Sequence, residues 1–279
     1  MSDNRRVAYF HVGLPKTAST FLQRKVFPFL KNINYIKKHD FKQHEKYLDA
    51  DNLRYLLSVE FTPHPKNPSS REKIEKVAQN FDVVYPIIVL RKHSSWLRSK
   101  YKYHLRKHGK LSFDDYINPH TPEGKIIRRD LEFFQKIEHL EKEFGNRPLV
   151  LFQEELKKAP LDVVRIISDF TDAYYSEQDI RPSTVKKSYT EDQLKWVRKF
   201  NRSYPFNPHS IGSRPLRQGY KKISQLFLHT TAVAGNILPD PEPQEPLIPK
   251  SELQKIARQY SSDWEQCKAY ARETRELLF

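Results

Sequence analysis

Two groups of residues in this sequence have the types and spacing to act on an anion. The first is Pro15-Lys16-Thr17-Ala18-Ser19-Thr20, which follows the apolar run VAYFHVG and precedes Phe21, Leu22 and Val26 on one helical face. A buried strand, a tight turn, a lysine and then small hydroxyl residues at a helix start outline a phosphate cradle. The first turn of a helix leaves backbone N–H groups unpaired and carries positive partial charge. Lys16 adds a mobile point charge, and Thr17, Ser19 and Thr20 add hydroxyl donors. The plain alternative is that Thr17 or Ser19 only caps a helix beside a solvated Lys16; the strand–loop–helix setting favours the cradle. The ordinary triphosphate loop, G-x-x-x-x-G-K-[ST], does not fit. Lys16 lies three residues after Gly13, and no second glycine precedes it.

The second group is spread along the chain. Arg91 closes the apolar run IIVLR, and Ser99 follows eight residues later. Arginine offers a planar fork suited to phosphate oxygens, and serine a short donor. Taken alone this pair is equally well a surface arginine and an idle helix serine. Glu60 ends LRYLLSVE, and a carboxylate at the carboxyl end of a parallel strand sits where open α/β sheets bind ligands. Partial burial would raise its pKa toward that of a working base; an exposed glutamate capping the next turn is the even alternative. His64, four residues on, is the competing base, whereas His11 lies within the first strand and reads as core. His104 and His108 stand one helical turn apart, but Arg106 and Lys107 between them disfavour a cation, so no metal site is expected. Arg98 to Lys110 interleaves bases with Tyr101 and Tyr103; a solvated helix face explains it better than nucleic-acid binding.

The loop resembles the 5′-phosphosulfate loop of the sulfotransferase superfamily, P-K-[ST]-G-[ST]-[ST] after a first strand, at Pro15, Lys16, Thr17, Ser19 and Thr20. Ala18 stands where that family has glycine; a helical φ there would make alanine tolerable. Arg91 and Ser99 fall where the family holds the donor's 3′-phosphate. LVLFQEELKKAPLDVVRIISDF and VKKSYTEDQLKWVRKFNR resemble softer family segments, so the likeness covers most of the chain. The resemblance implies a P-loop-like fold. It also implies a donor, 3′-phosphoadenosine 5′-phosphosulfate (PAPS), that leaves as adenosine 3′,5′-bisphosphate. Glu60 matches the position from which glycan- and tyrosine-modifying members present a catalytic glutamate, and His64 is similar to the base of members that use histidine. Lys16 is the candidate for meeting charge on the departing phosphate oxygen. Sulfuryl transfer of this kind needs no metal, and a hydroxyl on a carbohydrate or glycolipid is the first expectation for the acceptor. Two other classes remain open on the residues: a P-loop-type small-molecule kinase, and a non-catalytic basic protein binding nucleic acid or an anionic glycan.

The elements that must position these residues alternate strand and helix. Arg6–Gly13, Leu53–Glu60, Asp82–Arg91 and Pro148–Gln153 read as strands. Helices are expected over Ala18–Leu30, Ser69 or Ser70 to Phe81, Ser94–His108, Pro122–Phe144 and Pro160–Phe170. Crossovers of that length predict an α/β fold with a central parallel sheet flanked by helices. Pro86 predicts a bulge or an edge in its strand. Residues 1–279 are expected to form a single domain, with an irregular segment over 203–249, an unpacked Pro- and acid-rich connector from Asp240 to Pro249, and a C-terminal helix over about 251–278.

Composition agrees with this. Hydrophobic residues make up 38% and charged residues 30% of 279, enough for one sizeable core under a solvated surface. Lys and Arg outnumber Asp and Glu by 49 to 34, a formal charge of +15 that favours anionic partners. Cys267 is the one cysteine, which excludes an intrachain disulfide. The first residues lack the apolar core of a signal peptide, and no run of about 18 apolar residues occurs. A cytoplasmic protein without a membrane span is the expectation.

Overall fold

A computed structural model describes residues 5–49, 53–65, 67–181, 189–204 and 211–278. They fall into two compact units. One comprises Met1–Trp96, Asp130–Thr184 and Gln259–Phe279; the other comprises Leu97–Arg129 and Val185–Arg258.

The first unit is built on five parallel strands in the order β2-β3-β1-β4-β5. They are β1 (Val7–Gly13), β2 (Asn34–Ile36), β3 (Arg54–Glu60), β4 (Val83–Leu90) and β5 (Leu149–Phe152). Strand alternation sends Tyr9 and His11 to one face and Ala8, Phe10 and Val12 to the other, and all five are buried. On the first face, Leu22, Val26, Phe27 and the helix Pro160–Thr171 pack against Tyr9, Leu56, Ile87 and Leu151. On the second, Phe10 meets Phe41, Phe61 and Phe144. The chain leaves β1 for β3 on one side and later returns to β4 on the other. Strand order thus reverses at β1, the kind of point at which open α/β sheets bind ligands.

Several elements differ from expectation for local reasons. The stretch after the loop is not one α-helix. It runs as α1 (Ser19–Phe21), a π-helical turn over Leu22–Val26 and a 3₁₀ turn over Phe27–Phe29, where Pro28 cannot continue the ladder. The helix α2 (Pro68–Ala78) begins at Pro68, and Ser70 lies within it rather than capping it. Pro86 makes no bulge but sits at a local edge: β4 stays in register with β1 through Phe10↔Pro86, and β5 begins to pair only at Ile87. The missing N–H therefore leaves no ladder bond open on the β5 side.

The helix α3 (His93–Leu105) ends three residues short of His108, which stands in the left-handed region. A short α4 (Phe113–Ile117) follows, and the expected Pro122–Phe144 helix is two, α5 (Pro122–Asp130) and α6 (Phe133–Phe144). Ile126, part of the apolar repeat of that stretch, is exposed. After β5 come α7 (Gln153–Lys158) and α8 (Pro160–Thr171).

In the second unit α9 (Glu191–Ser203) opens with a reciprocal cap between Thr190 and Gln193. The segment expected to be irregular carries a long helix, α10 (Arg214–Ala234), so Gly219 is helical. The connector is packed rather than loose. Buried Lys195 donates to Asp240 at 2.5 Å and to the Glu242 carbonyl, buried Arg198 pairs with Glu242, and Leu247 is buried. The C-terminal helix is also two, α11 (Lys250–Gln259) and α12 (Ser261–Leu278). Asp263 of α12 accepts from His93 and from the first N–H groups of α6, and Arg275 grips Glu155 with both terminal nitrogens.

Candidate active site

Parallel strands put all their carboxyl ends at one edge of the sheet, and three adjacent ends carry the residues singled out above. β1 ends at Gly13 and passes into the loop, β3 ends at Glu60, and β4 ends just before Arg91. Gly13 and Glu60 are register partners. A Cβ on Gly13 would lie 2.8 Å from Ser19 Oγ and 3.3 Å from Glu60 Cγ. Glycine is thus required at that point, and it lets the loop hydroxyl and the carboxylate flank the same spot.

The loop is tied down from three sides. Arg91 Nη1 donates to the Lys16 carbonyl at 3.3 Å, and Trp96 Nε1 donates to the Pro15 carbonyl at 2.9 Å. Inside the loop, Thr17 Oγ1 and Ser19 Oγ donate to the Leu14 carbonyl at 2.8 and 3.3 Å, and both side chains are buried. A hydroxyl has one proton, so either must release Leu14 before it can donate to an oxyanion. Thr20 is exposed, and the N–H groups of Ser19 and Thr20 open the helix with no intrahelical carbonyl behind them.

Lys16 and Ala18 both have positive φ, 72° and 70°. The helical φ that would have made Ala18 easy to accommodate is therefore not what the loop adopts. A left-handed residue followed directly by a helical one turns successive N–H groups toward a common concavity, which suits an anion. It does so here at the steric cost that a Cβ brings in that region.

Glu60 has a partner the sequence reading missed. Lys38, just beyond the end of β2, reaches its Oε2 at 2.5 Å. The clue was available: INYIKKHD is a short apolar run that ends in cations. Trp96 was missed as well, and only the folded loop shows its role. His64 is buried in the turn after β3, where its N–H donates to Ser70 Oγ at 3.1 Å. Glu60, by contrast, keeps a third of its side chain exposed.

His11 lies in the core beneath the strand ends. Its Nδ1 is 2.7 Å from Ser58 Oγ, which also accepts from Gln23 Nε2 at 2.9 Å on the π-helical turn. Complete burial pushes its pKa down to about 3, so the ring is neutral. Ser99 lies on α3 past Trp96, half-buried, and belongs to the second unit. Among the described residues no group of three or more His, Cys, Asp or Glu is placed to hold a metal ion.

No family model and no curated protein matches the sequence. Three solved structures to which the chain is similar are sulfotransferases. One, from Alicyclobacillus acidocaldarius, is 15% identical over 70% of this chain and 93% of that one, with a TM-score of 0.45. A mouse sulfotransferase, SULT7A1, complexed with PAP, is 14% identical over 64% and 62%, with a TM-score of 0.37. A sulfotransferase domain from the curacin biosynthetic pathway is 17% identical over 92% and 98%, with a TM-score of 0.40.

Proposed function

We propose that the protein moves a sulfuryl group from PAPS to an acceptor hydroxyl, on a carbohydrate or glycolipid. The observation that carries this reading is the convergence of the loop Pro15–Thr20, Glu60 and Arg91 at the carboxyl ends of β1, β3 and β4, with Arg91 hydrogen-bonded to the loop itself. The donor set suits a polyanion: helix-start N–H groups, loop hydroxyls, the Lys16 ammonium and the Arg91 guanidinium.

PAPS supplies an activated sulfuryl group whose S–O bond to the 5′-phosphate breaks as a bond to the acceptor oxygen forms. Lys16 meets the charge that develops on the departing phosphate oxygen. Glu60, oriented by Lys38, takes the acceptor hydroxyl's proton, with His64 as the other candidate. Arg91 holds the loop and supplies positive charge for the 3′-phosphate. The role carried over to Ser99 rests on the sequence resemblance alone.

Thermal shift with adenosine 3′,5′-bisphosphate against ATP tests the reading. The bisphosphate is expected to raise Tm well beyond ATP, and Lys16→Ala or Arg91→Ala to remove most of that rise and abolish transfer from labelled PAPS. Equal shifts with the two nucleotides, or a larger one with ATP, would transfer the case to a kinase.

A further inference from the structure

The helix α10 presents a face that nothing in the proposed reaction uses. Leu216, Ile223, Leu226, Phe227 and Val233 recur at i, i+7, i+10, i+11 and i+17, the spacing of one helical stripe, and Ile237 continues it past the helix end. All six are between 47% and 87% exposed. The helix has a separate inner flank, on which Ser224, Leu228 and Ala232 are buried. The outer stripe is thus additional apolar surface, running about 26 Å from Leu216 to Val233.

Its charges have one sign. Residues 211 to 239 contain no Asp or Glu, in a chain with 34 of them, while Arg214, Arg217, Lys221 and Lys222 stand on the first half of the helix. Arg217 is turned back onto the carbonyls of Ile211 and Gly212; Arg214, Lys221 and Lys222 are exposed. Lys222 stands at the margin of the stripe, while Arg214 and Lys221 lie on the polar side of the helix away from it. An exposed apolar stripe on a helix whose charges are all positive is the pattern of one that lies in the plane of an anionic bilayer. The helix is not long and apolar enough to cross one.

We propose that α10 docks the protein on an anionic membrane surface. The stripe enters the acyl boundary with Lys222 at the headgroups, and Arg214 and Lys221 add to the positive field that draws the helix to the anionic surface. A second copy of the chain fits this face less well, because it would bring the same cations and no acidic group to meet them. A protein hot spot also favours Trp and Tyr, whereas this stripe is mostly aliphatic.

Co-sedimentation with vesicles tests the proposal independently of any enzymatic activity. The full chain is expected to pellet with phosphatidylcholine vesicles containing 30 mol% phosphatidylserine. Binding should be at least tenfold weaker with pure phosphatidylcholine, and weaker again in 0.5 M salt. Leu226→Glu/Phe227→Glu and Lys221→Gln/Lys222→Gln should each weaken it about tenfold or more, with circular dichroism and melting unchanged because all four side chains are exposed. Failure of the wild type to bind anionic vesicles overturns the proposal, as does undiminished binding by either double variant. A dimer seen by light scattering and abolished by Leu226→Glu/Phe227→Glu, without vesicle binding, assigns the face to a second copy instead.

Discussion

Ala18 shows most directly how a single side chain sets the quality of the loop. It stands in the left-handed region at φ 70°, directly before the helix, where a Cβ crowds the following carbonyl at a cost of roughly 1 kcal/mol or more. Ala18→Gly should therefore raise stability by about 1 kcal/mol, or Tm by about 2–4 °C, despite glycine's greater freedom in the unfolded chain. Calorimetry checks the sign directly, and an unchanged or lower Tm would mean the alanine is not strained. Binding of adenosine 3′,5′-bisphosphate should tighten in the same variant, since the backbone can then approach the phosphate more closely. At Glu60 the expected outcome is different in kind. Glu60→Gln should lower kcat about 10²- to 10⁴-fold while leaving bisphosphate affinity within twofold, because in the proposed reaction the lost group takes the acceptor's proton. Full turnover in Glu60→Gln would pass the role to His64. Lys38→Ala should lower kcat less, because it leaves the carboxylate in place and removes only the group that orients it.

At the scale of elements, the strap from Asp240 to Leu247 is where the structure departs most usefully from the sequence. DPEPQEP has the composition of a linker, and composition cannot show that Lys195 and Arg198, one helical turn apart on α9, would be buried with those acids as their partners. Asp240→Ala removes the countercharge of the buried Lys195 ammonium and leaves it the Glu242 carbonyl, which should cost about 2–3 kcal/mol in urea unfolding. A cost below about 0.5 kcal/mol would mean the pair is solvated. The sheet was far more legible than this strap. The four longer strands are apolar runs ending in Gly, Glu, Arg and Gln, and their chemistry-bearing ends follow from parallel pairing. The two helix breaks, between Asp130 and Phe133 and at Tyr260, were not legible, because the apolar period continues across both. The site followed the same division. Among the residues proposed for it, Lys16 in the loop after β1, Glu60 and Arg91 stand out in the sequence by their places beside strand ends, whereas Trp96 and Lys38 make contacts that only folding creates.

For the whole molecule, buried histidines set a pH dependence that can be worked out in sign. Burial lowers the pKa of His11, His44, His104, His108 and His139, in each case as the largest influence. Their native forms therefore stay neutral at a pH where the unfolded chain, with histidines near 6.5, takes up protons. Below that pH the unfolded state binds more protons, so stability is complete above about 6.5 and falls as the solution is acidified. His11 is the sharpest case, because its native pKa is near 3 and it titrates only in the unfolded chain over the accessible range. Alone it should remove about 2 kcal/mol between pH 6.5 and 5. His11→Gln will also change stability at neutral pH, since Ser58 and Gln23 share the site, so the quantity to compare is the slope against pH. Urea unfolding at pH 7, 6, 5.5 and 5 should give a shallower acid loss for the variant than for the wild type, by close to one proton. Parallel curves would show that His11 already accepts a proton in the folded protein.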